Sequence, residues 1–407
     1  MSLRILHTAD WHIGKRLYGT DLFEDHEYFF SQLLQWIESE KITHLLISGD
    51  IFDQSNPSAE SLQCYYNFIE RFSHSKASLI ITGGNHDSPL VLNAPQQLLK
   101  AFRVQVIGSA PESVSDCILP LKNEAGVTEV ILAAVPFLRD RDLRSSIAHA
   151  GVPNRIEAVR MGIKNYYHQL ADYCSKNYPG LPAITMGHLY ARGAETSESE
   201  REIQIGNQAG IDEEVFPETF RYVALGHIHK AQTVGKSGRI RYSGSPIALS
   251  FSERNDAKKL ILLHIDQQEI KQSDIAVSPL RDFLLLKGSL SDIENEIANY
   301  SSQHQQAAYA ELQIEEKVYD PKLFRRKDEL IEQTDKEGRI KIIYSRIHFL
   351  DSEVKMQEND LTHKPVGSIR PQDLFMQLID DYSPEEKEEL SQAFLSLLDQ
   401  LKEGAEE

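Results

Sequence analysis

Five times along this chain a short apolar, β-prone run stops at a cluster of carboxylate, amide or imidazole side chains. Asp10-Trp11-His12 follows Leu3–Thr8, Gly49-Asp50 follows His44–Ser48, and Gly84-Asn85-His86-Asp87 follows Ser78–Thr82. Gly187-His188 follows the run starting at Ala183, and Gly226-His227-Ile228-His229 the run starting at Tyr222. Apolar residues at helical spacing over Phe23–Glu38 and Ala59–Phe72 separate the first three runs. That order predicts a βαβαβ start, and so a largely parallel sheet covered by helices. Ligands of such sheets bind outside the carboxyl ends of the strands, where all five clusters fall.

Further strands are expected at Val130–Val135, Ala183–Met186, Tyr222–Leu225, Arg239–Tyr242 and Leu260–Ile265, with a long helix over Arg155–Ser175. Their hairpin-like crowding predicts a second, partly antiparallel sheet layer. The pattern changes near residue 280. We expect a two-layered core domain over 1–279, a small α/β domain over 280–350, a polar linker over 351–370 and two short helices within 371–407. At 407 residues with 41% hydrophobic side chains the chain can bury more than one core. Its three cysteines, Cys64, Cys117 and Cys174, are too far apart for a disulfide framework or a paired-cysteine zinc site, which fits a reducing cytoplasm. The longest apolar run is too short to span a membrane, so no membrane association is expected.

The net charge of −18 would ordinarily argue against a polyanionic partner. Half of it, −9, lies in residues 371–407, which hold eleven acids and two bases. The body is only mildly acidic, and bound divalent cations would reverse the sign locally, so nucleic acid is not excluded.

Asp, Asn and His are oxygen and nitrogen donors suited to Mn²⁺, Fe²⁺ or Zn²⁺ and poor for Cu(I) or iron–sulfur clusters. In Asp10-Trp11-His12 and His227-Ile228-His229 an extended backbone would point both outer side chains one way and the middle residue into packing. Asp50 is a natural bridge, because a carboxylate can hold two cations roughly 3.5–4 Å apart. Taken alone, His188 reads as an ordinary hydrogen-bonded histidine and Gly49-Asp50 as a turn. The joint occurrence at successive strand ends is what argues for a metal site. His7, His26, His44 and the remaining histidines lack such company.

The order Asp-x-His, Gly-Asp, Gly-Asn-His-Asp, Gly-His, Gly-His-x-His resembles the calcineurin-like metallophosphoesterases. Within them, ADWHIG, ISGDIFD, GGNHDSP, MGHL, ALGHIHK and SGSP resemble the bacterial SbcD nucleases. The resemblance implies a two-sheet αββα sandwich, a capping domain and a C-terminal helical hairpin. It implies two divalent metals, Mn²⁺ foremost: one held by Asp10, His12, Asp50 and His229, the other by Asp50, Asn85, His188 and His227. His86 would face the scissile phosphate without ligating, and Asp87 would orient His86 or a ligand histidine. Asp53 stands where some relatives carry a histidine, and unlike that histidine it cannot act as a cationic donor.

The resemblance further implies DNA ends and hairpins as substrate, an SbcC-type ATPase as partner, and a homodimer within a heterotetramer. The residues themselves offer only scattered phosphate contacts: Lys15, Arg16, Arg139, Arg141, Arg144 and Arg254, each of which could equally be a structurally paired cation. Leu62, Tyr65, Tyr66, Ile69 and Phe72 form an apolar stripe, as do Leu98, Leu99 and Phe102, either of which could pair subunits or serve the chain's own core. A phosphatase or phosphodiesterase acting on small substrates and a non-catalytic DNA-end scaffold are the alternatives.

Overall fold

In the computed structural model, residues 3–143, 155–195, 210–266, 268–302, 304 and 306–350 are described, with isolated residues between 375 and 394. The strands of the core are β1 (Leu3–Thr8), the short pair β2 (Arg16–Leu17) and β3 (Thr20–Asp21), β4 (His44–Ser48), β5 (Ser78–Thr82), β6 (Val104–Ile107), β7 (Ile118–Lys122), β8 (Thr128–Ala134), β9 (Ala183–His188), β10 (Phe220–Gly226), β11 (Gln232–Val234), β12 (Ile240–Tyr242), β13 (Lys259–Asp266) and β14 (Glu269–Ala276). All but β2 and β3, which pair with each other, form two six-stranded sheets, ordered β14-β13-β1-β4-β5-β6 and β11-β12-β10-β9-β8-β7. The β1, β4, β5 and β6 ladder is parallel, as the βαβαβ start requires, and so is β8-β9-β10.

The period-2 alternation of the strands explains how the sheets stack. Leu3 and Ile5 of β1, Leu46 of β4 and Ile80 of β5 face Leu132, Ile184, Met186 and Ala224 of the second sheet in one buried layer. Residues of opposite parity, such as Leu45, Ile47, Leu79 and Ile81, pack under the helices α1 (Phe23–Ser39) and α2 (Ala59–Ser73). The helix Arg155–Asn177 covers the far face of the second sheet through Ile163, Tyr167 and Leu170. The result is an αββα sandwich. His7 lies in the layer between the sheets, its Nδ1 2.9 Å from the Tyr222 hydroxyl, where burial and then the Arg241 charge lower its pKa to about 3. It is a core histidine.

A third sheet, β15 (Phe283–Gly288), β16 (Ala308–Glu316) and β17 (Ile340–Phe349), carries the helices Leu290–Asn299 and Lys322–Glu337. The first of these helices starts in a capping box made by Ser289 and Asp292. Arg281, ahead of β15, bonds Asp25 at 3.2 Å and Glu24 at 2.5 Å and lies 4.2 Å over the Tyr309 ring, which ties this layer to α1. The chain divides into two compact units, residues 1–316 with 320–348, and 317–319 with 349–407.

The α2 stripe is mostly the chain's own core: Tyr65, Ile69 and Phe72 are buried against the first sheet. Leu99 is buried too, whereas Leu98 is 65% and Phe102 39% exposed. Of the C-terminal helices expected within 371–407, most lies outside the described residues; there the Phe375 and Phe394 rings stack at 4.0 Å. Among the described residues no helix is long and apolar enough to cross a membrane.

Candidate metal centre

The loops after β1 and β4 are zipped together by backbone bonds, Asp10 N to Gly49 O at 3.1 Å and His12 N to Asp50 O at 3.0 Å. The backbone there is not extended. Asp10, His12 and Asp50 take φ of 54°, 48° and 51°, and His227 102°, so the expectation of an extended Asp-x-His fails. Asp is among the few residues that visit this left-handed region at low cost. The expected inward turn of the middle residues does occur: Trp11 is buried against Phe29, Phe30 and Phe68, and Ile228 is fully buried. His26 holds the Trp11 carbonyl at 2.6 Å, which braces the first loop from α1.

Close approach makes glycine necessary at position 84. A Cβ there would lie 2.1 Å from Asp50 Oδ1 and 2.3 Å from Asp50 N. Gly84→Ala should therefore displace the carboxylate and cost about 1–3 kcal/mol of stability. Thermal melts with and without divalent cation check this: the cation-induced rise in Tm should vanish in the variant.

Ligand-type atoms of Asp10, His12 and His229 lie within 4.8 Å of one another, and so do those of Asp50, His188 and His227. Asp50 reaches both groups: Oδ2 is 3.6 Å from His12 Nε2 and 3.2 Å from His188 Nε2. The Asn85 amide oxygen lies 2.8 Å from His188 Nε2 and 3.2 Å from His227 Nδ1, so it closes the second group. All seven candidate ligands thus converge from five strand ends. His86 is adjacent, its ring 4.6 Å from that of His12 and its backbone N–H donating to Asp50 Oδ1 at 2.9 Å. Its Nδ1 is 2.6 Å from the Asp53 carbonyl, so proton chemistry at this ring would run through Nε2.

The donor set fits divalent cations of intermediate hardness. His12 Nε2 is sealed from solvent and has no hydrogen-bond partner among the described residues, as suits a ligand atom. Burial first, against the pull of Asp53, keeps the His12 imidazole below its usual pKa, and burial with His188 does the same to His227. Burial opposes ionisation of Asp50, but His188, His12 and His86 hold its carboxyl well below the usual range.

His188 behaves differently. Burial lowers its pKa, yet the Asp50 and Asp10 carboxylates push it up to about 9. A cation at Nε2 must displace that proton, so apparent affinity at this group should rise with pH until about 9, by roughly tenfold per unit. Calorimetry in two buffers of different ionisation enthalpy should find about one proton released per cation bound there at neutral pH. Because the folded pKa is raised, the ion pair's contribution to metal-free stability is complete below the unfolded value of about 6.5 and is lost as pH rises through about 9.

Asp87 departs from the role expected of it. Its carboxylate accepts the backbone N–H groups of Gly84, Ile51 and Phe52 at 2.8–3.1 Å, so it clasps the loops after β4 and β5 rather than orienting an imidazole. Burial and the Asp50 charge push its pKa up to about 6 against those bonds. Of the basic candidates, Lys15 lies at the centre, 3.4 Å from Asp53 Oδ1. Arg139 bonds the Asp87 carbonyl at 3.0 Å, Arg141 pairs with Asp142, Arg254 bonds the Phe251 carbonyl, and Arg16 is exposed beside a cleft that Asp53 and Asn56 also line. Arg144 and most of 190–210 lie outside the described residues. Glu253 escaped the sequence reading: its fully buried carboxylate lies 3.3 Å from His229 Nδ1, though only its neighbour Arg254 looked functional. No spacing rule links residues 229 and 253.

Residues 3–231, which contain all seven candidate ligands and His86, match the family model described as calcineurin-like phosphoesterase. The chain is 32% identical over 301 residues to the SbcD subunit of the SbcCD nuclease of Escherichia coli (strain K12), covering 73% of this chain and 74% of that one. It is 35% identical over 260 residues to the protein of the same name from Rhodobacter capsulatus, covering 62% and 64%, and 31% identical over 280 residues to that of Bacillus subtilis, covering 64% and 66%.

Proposed function

The chain belongs to the calcineurin-like phosphoesterase family, and from that premise we propose that it is the metal-dependent nuclease subunit of an SbcCD-type complex, hydrolysing phosphodiester bonds at DNA ends and hairpins. The observation that supports this reading is the convergence of seven candidate ligands and His86 on one centre, with Asp50 within reach of both ligand groups. Asp10, His12, His229 and Asp50 would hold one cation, and Asp50, Asn85, His188 and His227 a second. Manganese is the expected metal. When bound, such a pair polarises the phosphate and orients the attacking water.

The chain's own groups do the rest. His86, held by the Asp53 carbonyl and by its own N–H to Asp50, can donate from Nε2 to charge on the phosphate and to the leaving 3′-oxygen. Asp87 keeps the two loops in register, so that His86 and Asp50 move as one body. Lys15, 3.4 Å from Asp53, and the exposed Arg16 are candidate contacts for a DNA backbone.

Mn²⁺-supported digestion of linear duplex DNA, compared with hydrolysis of a chromogenic phosphodiester, tests the reading. Degradation of duplex DNA at ends is expected; turnover of the small ester alone would assign a small-substrate phosphodiesterase instead.

We assign 1–279 to the nuclease domain, 280–350 to a capping domain, 351–370 to a linker and 371–407 to a docking segment for an SbcC-type ATPase. The apolar residues Leu374, Phe375, Leu378 and Ile379, and Leu390, Phe394, Leu397, Leu398 and Leu401, recur at helical spacing among eleven acids, a pattern suited to a basic groove. A chain ending at Ser368 should keep Mn²⁺-dependent activity on simple DNA ends but lose co-purification with the ATPase. Undiminished binding would move the docking site to the capping domain. Homodimerisation within a heterotetramer would draw on exposed apolar residues such as Leu98 and Phe102, and sedimentation at micromolar concentration tests it.

A further inference from the structure

Behind the two imidazoles of the first ligand group stand two carboxylates, and behind each carboxylate a lysine. His12 Nδ1 lies 3.4 Å from Asp53 Oδ1, a charge contact outside hydrogen-bond geometry, and Asp53 Oδ1 lies 3.4 Å from Lys15 Nζ. His229 Nδ1 lies 3.3 Å from Glu253 Oε1, and Glu253 Oε2 lies 2.5 Å from Lys258 Nζ. Glu253 also accepts from Ser245 Oγ and Leu249 N, both at 3.2 Å, so its position is fixed from three sides. The second group is built otherwise. His188 Nδ1 meets the Ser48 backbone carbonyl, a neutral acceptor, at 2.9 Å, with Asp10 Oδ1 farther off at 3.9 Å, and Asn85 supplies a neutral amide where the first group has Asp10.

An anionic acceptor behind a ligating imidazole fixes its tautomer and orientation and raises its basicity, and losing such a partner typically costs about 10–100-fold in metal affinity. A backbone carbonyl fixes the tautomer with less charge. A fully buried Glu253 and a partly buried Asp53 would be costly unless paired, which is what Lys258 and Lys15 supply.

We propose that Asp53 and Glu253, each backed by its lysine, are positioning residues that make the Asp10/His12/His229 group the tighter of the two cation sites, so that the cations load in a fixed order. The proposal rests on the reading that these groups hold divalent cations. A purely structural role, stapling the segment around Glu253 to the loop after β10, is the competing account. It predicts altered stability without a change confined to one binding step.

Titration of the metal-free, full-length protein with Mn²⁺, followed by electron paramagnetic resonance, separates these accounts. Wild type should show a tight and a weak step, with His229→Ala removing the tight one and His227→Ala the weak one. Glu253→Gln keeps the size and an acceptor oxygen but removes the charge; it should weaken the tight step by about 10–100-fold and leave the weak step unchanged. Glu253→Ala should weaken it further, so that the glutamine variant is a partial rescue. Asp53→Asn, at the rim of the centre, should act in the same direction and serves if the Glu253 variants do not fold. An unchanged tight step in both Glu253→Gln and Asp53→Asn, or equal weakening of both steps, would overturn the proposal. Absence of any stoichiometric Mn²⁺ binding by wild type would overturn the metal assignment itself, and this proposal with it.

Discussion

Asp50→Ala is expected to lose both cations together and to leave less than ~10⁻³ of wild-type nuclease activity, since each preorganised electrostatic donor in such a site is worth about 10²–10³ and both cations depend on this one carboxylate. The basis is geometric. Asp50 Oδ2 lies within 3.6 Å of His12 Nε2 and 3.2 Å of His188 Nε2, one from each ligand group, while Oδ1 accepts the His86 N–H. His229→Ala, by contrast, should weaken mainly the first cation. Asp50→Asn is the companion variant, because Asn tolerates the φ of 51° at this position and keeps the side chain's shape. Elemental analysis after gel filtration decides the matter: two full equivalents retained by folded Asp50→Ala would end the bridging assignment.

His86→Gln should leave metal content and DNA affinity near wild type and lower turnover by at least ~10². Glutamine keeps an amide donor of similar reach but has no titratable nitrogen. The ring it replaces is held at Nδ1 by the Asp53 carbonyl, 2.6 Å away, and its loop is anchored by the backbone N–H rather than by the side chain. The loop should therefore survive the exchange. Single-turnover cleavage of end-labelled duplex under saturating Mn²⁺ isolates the chemical step, and wild-type rates there would reduce His86 to a structural neighbour.

Much of this was legible in the sequence because the strands that aim the ligands are buried on both faces. β1, β4 and β5 begin and end at the expected residues, since a short apolar run closed by Gly or Asp has little freedom to shift. The unexpected strands are mostly edge or exposed ones. β7 lies at a sheet edge and contains Pro120, which argues against a strand by propensity, and β14, EIKQSDIA, is polar along most of its length. At the site, the ligands were readable because each ends a strand. The roles of Asp53, Asp87 and Glu253 were not, because they depend on which loops lie side by side; Glu253 meets its imidazole across 24 residues of chain. The left-handed backbone at Asp10, His12 and Asp50 has no sequence signature beyond the tolerance of Asp for it.

The bonds that lace the centre also fix when, during synthesis, it can exist. Asp10 Oδ1 accepts the His227 N–H across 217 residues, and His188 Nδ1 meets the Ser48 carbonyl across 140. β1, which carries the first ligands, gains its second neighbour only when β13 pairs with it antiparallel at Lys259–Asp266. Contacts of such separation form late, after loop closure over most of the chain. A ribosome-bound or prematurely ended fragment that stops short of β13 has the early loops but neither the completed sheet nor, before residue 227, the His-x-His that completes both ligand groups. Fragments that stop short of β13 are therefore expected to lack hydrolytic activity, which assay of chains truncated before and after β13 would check.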